Sequence, residues 1–251
     1  MYEHNFRISY SQAGALGRLK LTGAMNLFQD IADDHAAKVG VSVADLLKQN
    51  KTWVLHRFKM ANQTMPKRGD LVTIKTWYRP EKKLYSLRTF KMLGQDGKEL
   101  LSVQTSWIVV DINKGRPLRL DRAMPEAYYE NKDDELEVSF EEPLMPQKAN
   151  IKKTIQVGVT DLDMNFHVNN VHYLRWALDT IPIKILKEYE PKGVEIAFKR
   201  PAFYGDLVVS ELEIDERSSS ILCRHHIYGD KDSHSMAVIN SMWEKTAQEE
   251  R

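Results

Sequence analysis

Cysteine is almost missing from this chain: Cys223 is the single one among 251 residues. An intramolecular disulfide is therefore excluded, which suits a reducing compartment. No Cys/His spacing suggests zinc, and no Gly-x-Gly-x-x-Gly or P-loop pattern suggests a bound nucleotide, so no metal and no organic cofactor is expected. No apolar run approaches the roughly 20 residues needed to span a bilayer, which argues against a membrane protein. No signal peptide is read at the front, where Met1-Tyr2-Glu3-His4-Asn5 leads into strand-like Phe6-Arg7-Ile8. An excess of one charge is absent too, since 36 basic and 35 acidic residues leave a net charge of +1. The basic residues are not interleaved with aromatics along a face, so no nucleic acid partner is expected.

What is present is an ordinary globular balance, 42% hydrophobic and 28% charged. The length allows one large domain or two of usual size. The basic pairs Lys67-Arg68, Lys82-Lys83, Lys152-Lys153 and Lys199-Arg200 read as solvated surface, with docking of an acidic partner as the alternative.

Periodicity divides the chain into two similar halves. In the first, a strand near Asn5–Tyr10 precedes a helix from about Ala24 to Lys38, with Ala24, Leu27 and Ile31 on its apolar face and Gly40 placed to end it. Strands are expected at about Thr52–Met60, Leu71–Tyr78, Leu84–Leu93 and Leu101–Asp111, the last alternating through Leu101, Val103, Thr105, Trp107 and Val109. Asp96-Gly97 marks a hairpin turn. Asp33-Asp34-His35 reads as a solvated helix end, because adjacent helical residues point apart and chelate poorly.

In the second half a strand (about Ile151–Val159) precedes another helix, and strands follow near Gly193–Arg200, Leu207–Asp215, Ser220–Tyr228 and Ser235–Lys245. Pro66-Lys67-Arg68-Gly69-Asp70-Leu71-Val72 is echoed by Pro201-Ala202-Phe203-Tyr204-Gly205-Asp206-Leu207-Val208. The acidic, proline-containing stretch Asp121–Asn150 reads as a linker with a helical turn or two. Domains are thus expected at 1–125 and 151–251, joined by a 126–150 linker. One helix followed by an antiparallel meander, occurring twice, fits an α+β fold in which each sheet wraps a central helix.

The chemistry concentrates in Thr160-Asp161-Leu162-Asp163-Met164-Asn165-Phe166-His167-Val168-Asn169-Asn170-Val171. Polar and apolar residues alternate through Asp163, Asn165 and His167, which predicts an extended segment. Helical spacing takes over, with Val171, Leu174, Leu178 and Ile181 on one face, a cap from Asn169 or Asn170, and Pro182 at the end. A carboxylate, an amide and an imidazole would then sit at a helix start, beside free backbone N–H groups and the positive end of the dipole. That combination suits acyl hydrolysis; local turn and capping hydrogen bonds are the plainer alternative.

The run Asn165-x-His167-Val168-Asn169-Asn170-Val171-x-Tyr173 resembles the signature of the fatty acyl-ACP thioesterases, which release fatty acids from acyl carrier protein. Further matches follow in order: Met25-Asn26-Leu27-Phe28-Gln29-Asp30, Trp53-Val54-Leu55-x-Arg57, Pro66-x-x-Gly69-Asp70-Leu71-Val72, Thr76-Trp77, Ser106-Trp107-Ile108-Val109-Val110-Asp111, and Arg119-Leu120 with Met124-Pro125-Glu126. The resemblance implies two tandem hotdog domains, the first holding the acyl-chain pocket and the second the catalytic groups. It implies Asp163, Asn165 and His167 as catalytic residues and Asn169, Asn170, Val171 and Tyr173 as substrate-binding ones. It also implies acyl carrier protein as partner; that protein is strongly acidic. Plant members carry plastid transit peptides, for which this chain has no room, so a bacterial, cytoplasmic location is expected, or a processed form. Monomer and homodimer both stay open.

One departure matters. The plant segment of the form Tyr-Arg-Arg-Glu-Cys corresponds here to Phe198-Lys199-Arg200-Pro201-Ala202, so its cysteine and glutamate are gone. No thiol nucleophile stands there, and Cys223 reads as a buried small hydrophobe. The reading that remains has Asp163 as general base toward water, or as direct nucleophile, with His167 polarising or protonating and Asn165 orienting. Backbone N–H groups at the helix start would hold the oxyanion. The alternatives are an acyl-CoA thioesterase, a hotdog hydratase or dehydratase, and a non-catalytic acyl-binding protein.

Overall fold

A computed structural model describes residues 1–81, 83–130 and 139–246. The chain separates into two compact units, Met1–Phe140 and Glu141–Arg251.

The first unit contains β1 (Tyr2–Arg7), α1 (Leu21–Ala37), α2 (Val43–Leu47), β2 (Lys51–Asn62), β3 (Leu71–Glu81), β4 (Tyr85–Leu93), β5 (Glu99–Asp111), β6 (Arg116–Leu118), α3 (Leu120–Ala123) and α4 (Ala127–Glu130). Its sheet runs antiparallel in the order β1-β3-β4-β5-β2, with β6 paired to the end of β5. Period-two patterning explains which face is inside: Val72, Ile74, Thr76 and Tyr78 of β3 are buried while their neighbours are less so. In β5 the expected alternation holds through Leu101, Val103 and Thr105 and then breaks. A bulge at His56 of β2 shifts the register there, so Ser106 is buried beside Thr105 and Trp107 is only half-buried.

Ala24, Leu27, Phe28 and Ile31 form the buried face of α1, and Phe28 meets Phe90 of β4 at 5.2 Å. Leu27, Phe28 and Ile31 each contribute about 1.5–3 kcal/mol by this burial. The helix ends as expected: Gly40 sits at φ +72°, and the N–H of Val41 donates to Ala36 O at 3.0 Å. Gly97, at φ +78°, turns the β4–β5 hairpin, also as expected.

His35 overturns the solvated reading of its triplet. Asp33 and Asp34 are exposed, but His35 follows Ile31 by one turn onto the inner face, where its Nδ1 lies 3.1 Å from buried Arg88 Nη1. Burial, then the cations Arg88, the N-terminus and Lys38, lower its pKa to about 3.

The second unit contains β7 (Ile151–Gln156), α5 (Asn170–Leu178), α6 (Ile183–Glu188), β8 (Tyr189–Phe198), β9 (Leu207–Glu216), β10 (Ser220–Gly229) and β11 (Ser235–Lys245). Its antiparallel order is β7-β9-β10-β11-β8. In each unit the strands therefore stand first, third, fourth, fifth, second, with one long helix between the first two. This is the α+β arrangement of two hotdogs that the sequence led us to expect. Even the irregularity repeats: β8 skips Lys192 opposite β11, as β2 skips His56 opposite β5.

Several boundaries differ. β1 and β7 stop early, at Arg7 and Gln156, because the chain soon turns: Gln12 N–H donates to Ser9 O at 3.3 Å and Asp161 N–H to Gly158 O at 3.2 Å. β8 starts at Tyr189, ahead of the expected Gly193. The buried face of α5 is Val171, Tyr173, Leu174, Trp176 and Ala177, while Leu178 and Ile181 are half-buried, since the helix ends at Leu178. The expected turns of the 121–150 stretch are α3 and α4; residues 131–138 of that stretch, and Lys82, lie outside the described residues. His225 and Cys223 are both buried on β10, as structural residues. Burial pushes the Cys223 thiol up to about 12, which leaves it a poor nucleophile.

Candidate active site

The segment carrying Asp163, Asn165 and His167 is not extended. It is a tight turn closed at its base by the Leu162–Val168 bridge, with Asp163 N–H donating to His167 O at 2.8 Å and Phe166 N–H to Asp163 O at 3.0 Å. The alternation of side chains suggested a strand, but an Asp carboxylate can satisfy backbone donors two residues on, and that stabilises the turn. Asp163 Oδ1 accepts the N–H of Asn165 at 2.8 Å and that of His167 at 3.3 Å; its Oδ2 lies 3.4 Å from Asn165 Nδ2. The carboxylate is thereby held in one place. Among the described residues no hydrogen bond joins it to the imidazole of His167, which instead meets the ring of Phe203 edge-on at 5.0 Å. All three polar groups are half-buried.

The next residues enter α5. Asn169 is its cap: Oδ1 accepts the N–H of Val171 at 3.0 Å, and Asn169 O accepts that of His172 at 2.9 Å. The expectation of several free N–H groups at the helix start is corrected by this cap, which occupies two of them. Among the described residues the Asn170 backbone N–H and side-chain amide have no partner. Val171 and Tyr173 face inward and are buried. The Tyr173 hydroxyl accepts the N–H of Ala202 at 2.7 Å, and Ala202 O accepts the N–H of Val168 at 3.0 Å. Burial raises the Tyr173 pKa, so the hydroxyl stays neutral. Ala202 and Phe203 are thus fastened beside the turn.

Sequence reasoning passed over Asp161. Its buried carboxylate accepts Gly158 N–H at 2.9 Å and Arg175 Nη2 at 2.8 Å, and its carbonyl accepts Asn169 N–H at 2.8 Å. His172 Nδ1 lies 3.2 Å from the same carboxylate without hydrogen-bond geometry. Burial and then Arg175 lower the His172 pKa against the pull of Asp161. Asp161 ties the turn to the helix. The signal for it was available, since His172 and Arg175 are one turn apart on a single helix face.

The first unit holds the same backbone scaffold without these side chains. Gly14 N–H donates to Arg18 O at 2.8 Å and Gly17 N–H to Gly14 O at 2.9 Å, reproducing the bonds of Asp163 with His167 and of Phe166 with Asp163. Leu19 N–H donates to Pro66 O and Lys20 N–H to Gln12 O, as Val168 does to Ala202 O and Asn169 to Asp161 O. Gln12 Oε1 accepts Ser9 N–H at 2.9 Å, matching Asp161 and Gly158. By this register Gly14, Leu16 and Arg18 stand where the second unit has Asp163, Asn165 and His167. Lys20, the N-cap of α1, provides no side-chain cap.

Among the described residues, no group of three His, Cys, Asp or Glu side chains is placed to hold a metal, and no helix is long and apolar enough to cross a membrane.

Two sequence-family profiles match the chain, the acyl-ACP thioesterase N-terminal domain over residues 1–128 and the C-terminal domain over 144–245. A chloroplastic palmitoyl-acyl carrier protein thioesterase of Gossypium hirsutum is 26% identical over 80% of this chain and 52% of its own length. A chloroplastic dodecanoyl-[acyl-carrier-protein] hydrolase of Cinnamomum camphora is 27% identical over 90% of this chain and 63% of its own. The chain therefore spans between half and two thirds of these relatives. A crystal structure described as an oleoyl thioesterase, from Lactobacillus plantarum, superimposes with a TM-score of 0.89 over 98% of this chain and 97% of that one; at 22% identity it speaks for the fold.

Proposed function

The chain belongs to the acyl-ACP thioesterase family, and on that premise we propose that it hydrolyses the thioester of a fatty acyl-acyl carrier protein and releases free fatty acid. The observation that supports this most is the duplicated turn. Two copies of one hydrogen-bonded scaffold occur in the chain, and only the second bears a carboxylate, an amide and an imidazole.

In the proposed reaction Asp163 takes a proton from water as the oxygen attacks the thioester carbon. The carbon–sulfur bond then breaks, and His167 supplies a proton to the departing thiolate. Asn165 orients the carbonyl or the water. The free N–H of Asn170 is the donor proposed for the oxyanion, an interaction worth about 3–4 kcal/mol in well-studied hydrolases. The lack of a hydrogen bond between Asp163 and His167 supports separate roles on the substrate over a relay between them. Val171 and Tyr173, expected from the family pattern to bind substrate, are assigned a supporting part as the packed wall behind the site. Asn169 is the cap that shapes it. With Gly14, Leu16 and Arg18 at the corresponding turn, the first unit is assigned the acyl chain in place of chemistry. Acyl carrier protein is the proposed partner and the bacterial cytoplasm the proposed location.

Asp163→Asn and His167→Ala test the reading directly. Each variant should keep its far-ultraviolet circular dichroism and lose about 10²- to 10⁴-fold in kcat for thiol release from acyl-carrier protein. A folded variant retaining the full rate on carrier protein, and on the same acyl group attached to CoA, would refute the assignment.

A further inference from the structure

Phe166, at the tip of the turn, is doubly unfavourable. Its backbone sits in the left-handed region at φ +59°, which bulky residues avoid, and its side chain is 78% exposed. The corresponding residue of the first unit is Gly17, at φ +70°, the residue type that conformation favours.

The neighbours of Phe166 follow the same trend. Met164 on the same turn is 63% exposed, and Phe203 and Tyr204 on the adjoining turn are 47% and 65% exposed. The two turns are in contact through His167 and Phe203, and through Val168 and Ala202. The adjoining turns are closed alike, since Phe203 N–H donates to Asp206 Oδ2 as Lys67 N–H does to Asp70 Oδ2, both at 2.8 Å, although Arg68 N–H also donates to Gly17 O at 2.8 Å and Tyr204 makes no such bond to Phe166 among the described residues. Positions 164, 166, 203 and 204 are therefore Ala15, Gly17, Lys67 and Arg68 in the copy without Asp163 and His167. Leu16 of the first unit's turn is exposed as well, at 55%, but aromatic rings and a thioether occupy these four positions only in the second unit.

We propose that Phe166, with Met164 and Tyr204, is a positioning surface for the flexible amide-containing arm that links the thioester to its carrier. This inference rests on the proposed thioesterase activity. Location decides the occupant. Asp163, Asn165 and His167 are half-buried, whereas the rim projects into solvent, so it meets the part of the substrate that stays outside when the carbonyl reaches the turn. The acyl chain, wholly apolar, is drawn to the interior. An arm of methylenes and amides matches a surface of two rings, a thioether and a phenol hydroxyl, because rings cover the methylenes and the hydroxyl pairs with an amide.

The test compares Phe166→Ala, Phe166→Gly and Tyr204→Ala with the unaltered protein. One acyl group is offered on acyl carrier protein, on pantetheine and on N-acetylcysteamine, whose arm is cut short. Phe166→Ala should lower kcat/KM on the two full-length arms by about 10- to 100-fold, the equivalent of one aromatic ring's burial, mainly through KM. On N-acetylcysteamine the loss should be several-fold smaller. Phe166→Gly should show the same kinetic loss while resisting urea at least as well as the unaltered protein, a pairing that a merely structural residue would not produce. A loss equal on all three carriers that grows with acyl-chain length would place the ring against the acyl chain and overturn the proposal, as would an unchanged KM throughout. Asp163→Asn, run alongside, separates the two ideas. Full turnover by that variant defeats the proposed activity, whereas its inactivity beside a normal KM for Phe166→Ala defeats only the role of the rim.

Discussion

Mild acid should weaken both units through their buried histidines. His225 is fully buried, facing the neutral hydroxyls of Thr180 and Ser241 at 3.4 Å each, and burial lowers its pKa from 6.5 to about 3. His35 reaches the same value through burial, with Arg88, the N-terminus and Lys38 adding repulsion. Unfolded, both histidines take up protons as pH falls below 6.5; folded, they stay neutral until about pH 3. Stability contributed by the neutral forms is thus present above the unfolded pKa and is lost progressively below it. Between pH 7 and pH 5 the loss is about 2 kcal/mol for each histidine, at 1.36 kcal/mol per pH unit. His35 lies in the first unit and His225 in the second, so each unit carries its own loss. His172 and His226 are shifted in the same direction and add to the second. Urea denaturation followed by tryptophan fluorescence at the two pH values measures this. His35→Gln, which keeps an acceptor for Arg88, should reduce the pH 7-to-5 difference of the first unit by about 2 kcal/mol. The reasoning is refuted if the unaltered protein is equally stable at both pH values, or if His35→Gln shows the same loss.

Tyr173→Phe removes the acceptor of the buried Ala202 N–H and should cost about 1–3 kcal/mol in thermal or urea unfolding. Because Ala202 anchors the turn whose Phe203 packs on His167, kcat should fall as well; an unchanged midpoint would show that the 2.7 Å bond contributes nothing. Asn169→Ala should cost about 1 kcal/mol as a lost helix cap, whereas Asn169→Ser should recover most of it. Equal losses in those two variants would assign Asn169 a role other than capping.

The fold was legible wherever short-range signals agreed. Hydrophobic period two marked most strands, the α1 stripe gave Ala24, Leu27 and Ile31, and Gly40 and Asp96-Gly97 marked their turns. The candidate site was legible as a set of residues but not as a shape. Alternation over 163–167 imitated a strand, because a five-residue turn held by one Asp side chain presents the same polar–apolar pattern. His35 was misjudged for a different reason: its charged neighbours Asp33 and Asp34 masked the i, i+4 spacing from Ile31. Asp161 went unweighed although His172 and Arg175 share one helix face, because that spacing does not say which carboxylate the face will meet.

The residue pattern by itself determined that the chain is built twice from a helix and a meander, and that a carboxylate, an amide and an imidazole occur once, before the second helix. Those are properties of spacing and composition, expressed within a few neighbouring residues. Only the tertiary structure decided that this segment is a turn whose backbone hydrogen bonds recur in the first unit around Gly14, Leu16 and Arg18, that Asn169 caps and Asn170 is left free, and that Phe166 points outward in a conformation its counterpart meets with glycine. Hydrogen bonds such as Tyr173 to Ala202 and contacts such as His35 to Arg88 join residues far apart in the chain. Their geometry exists only once the sheet has brought the partners together.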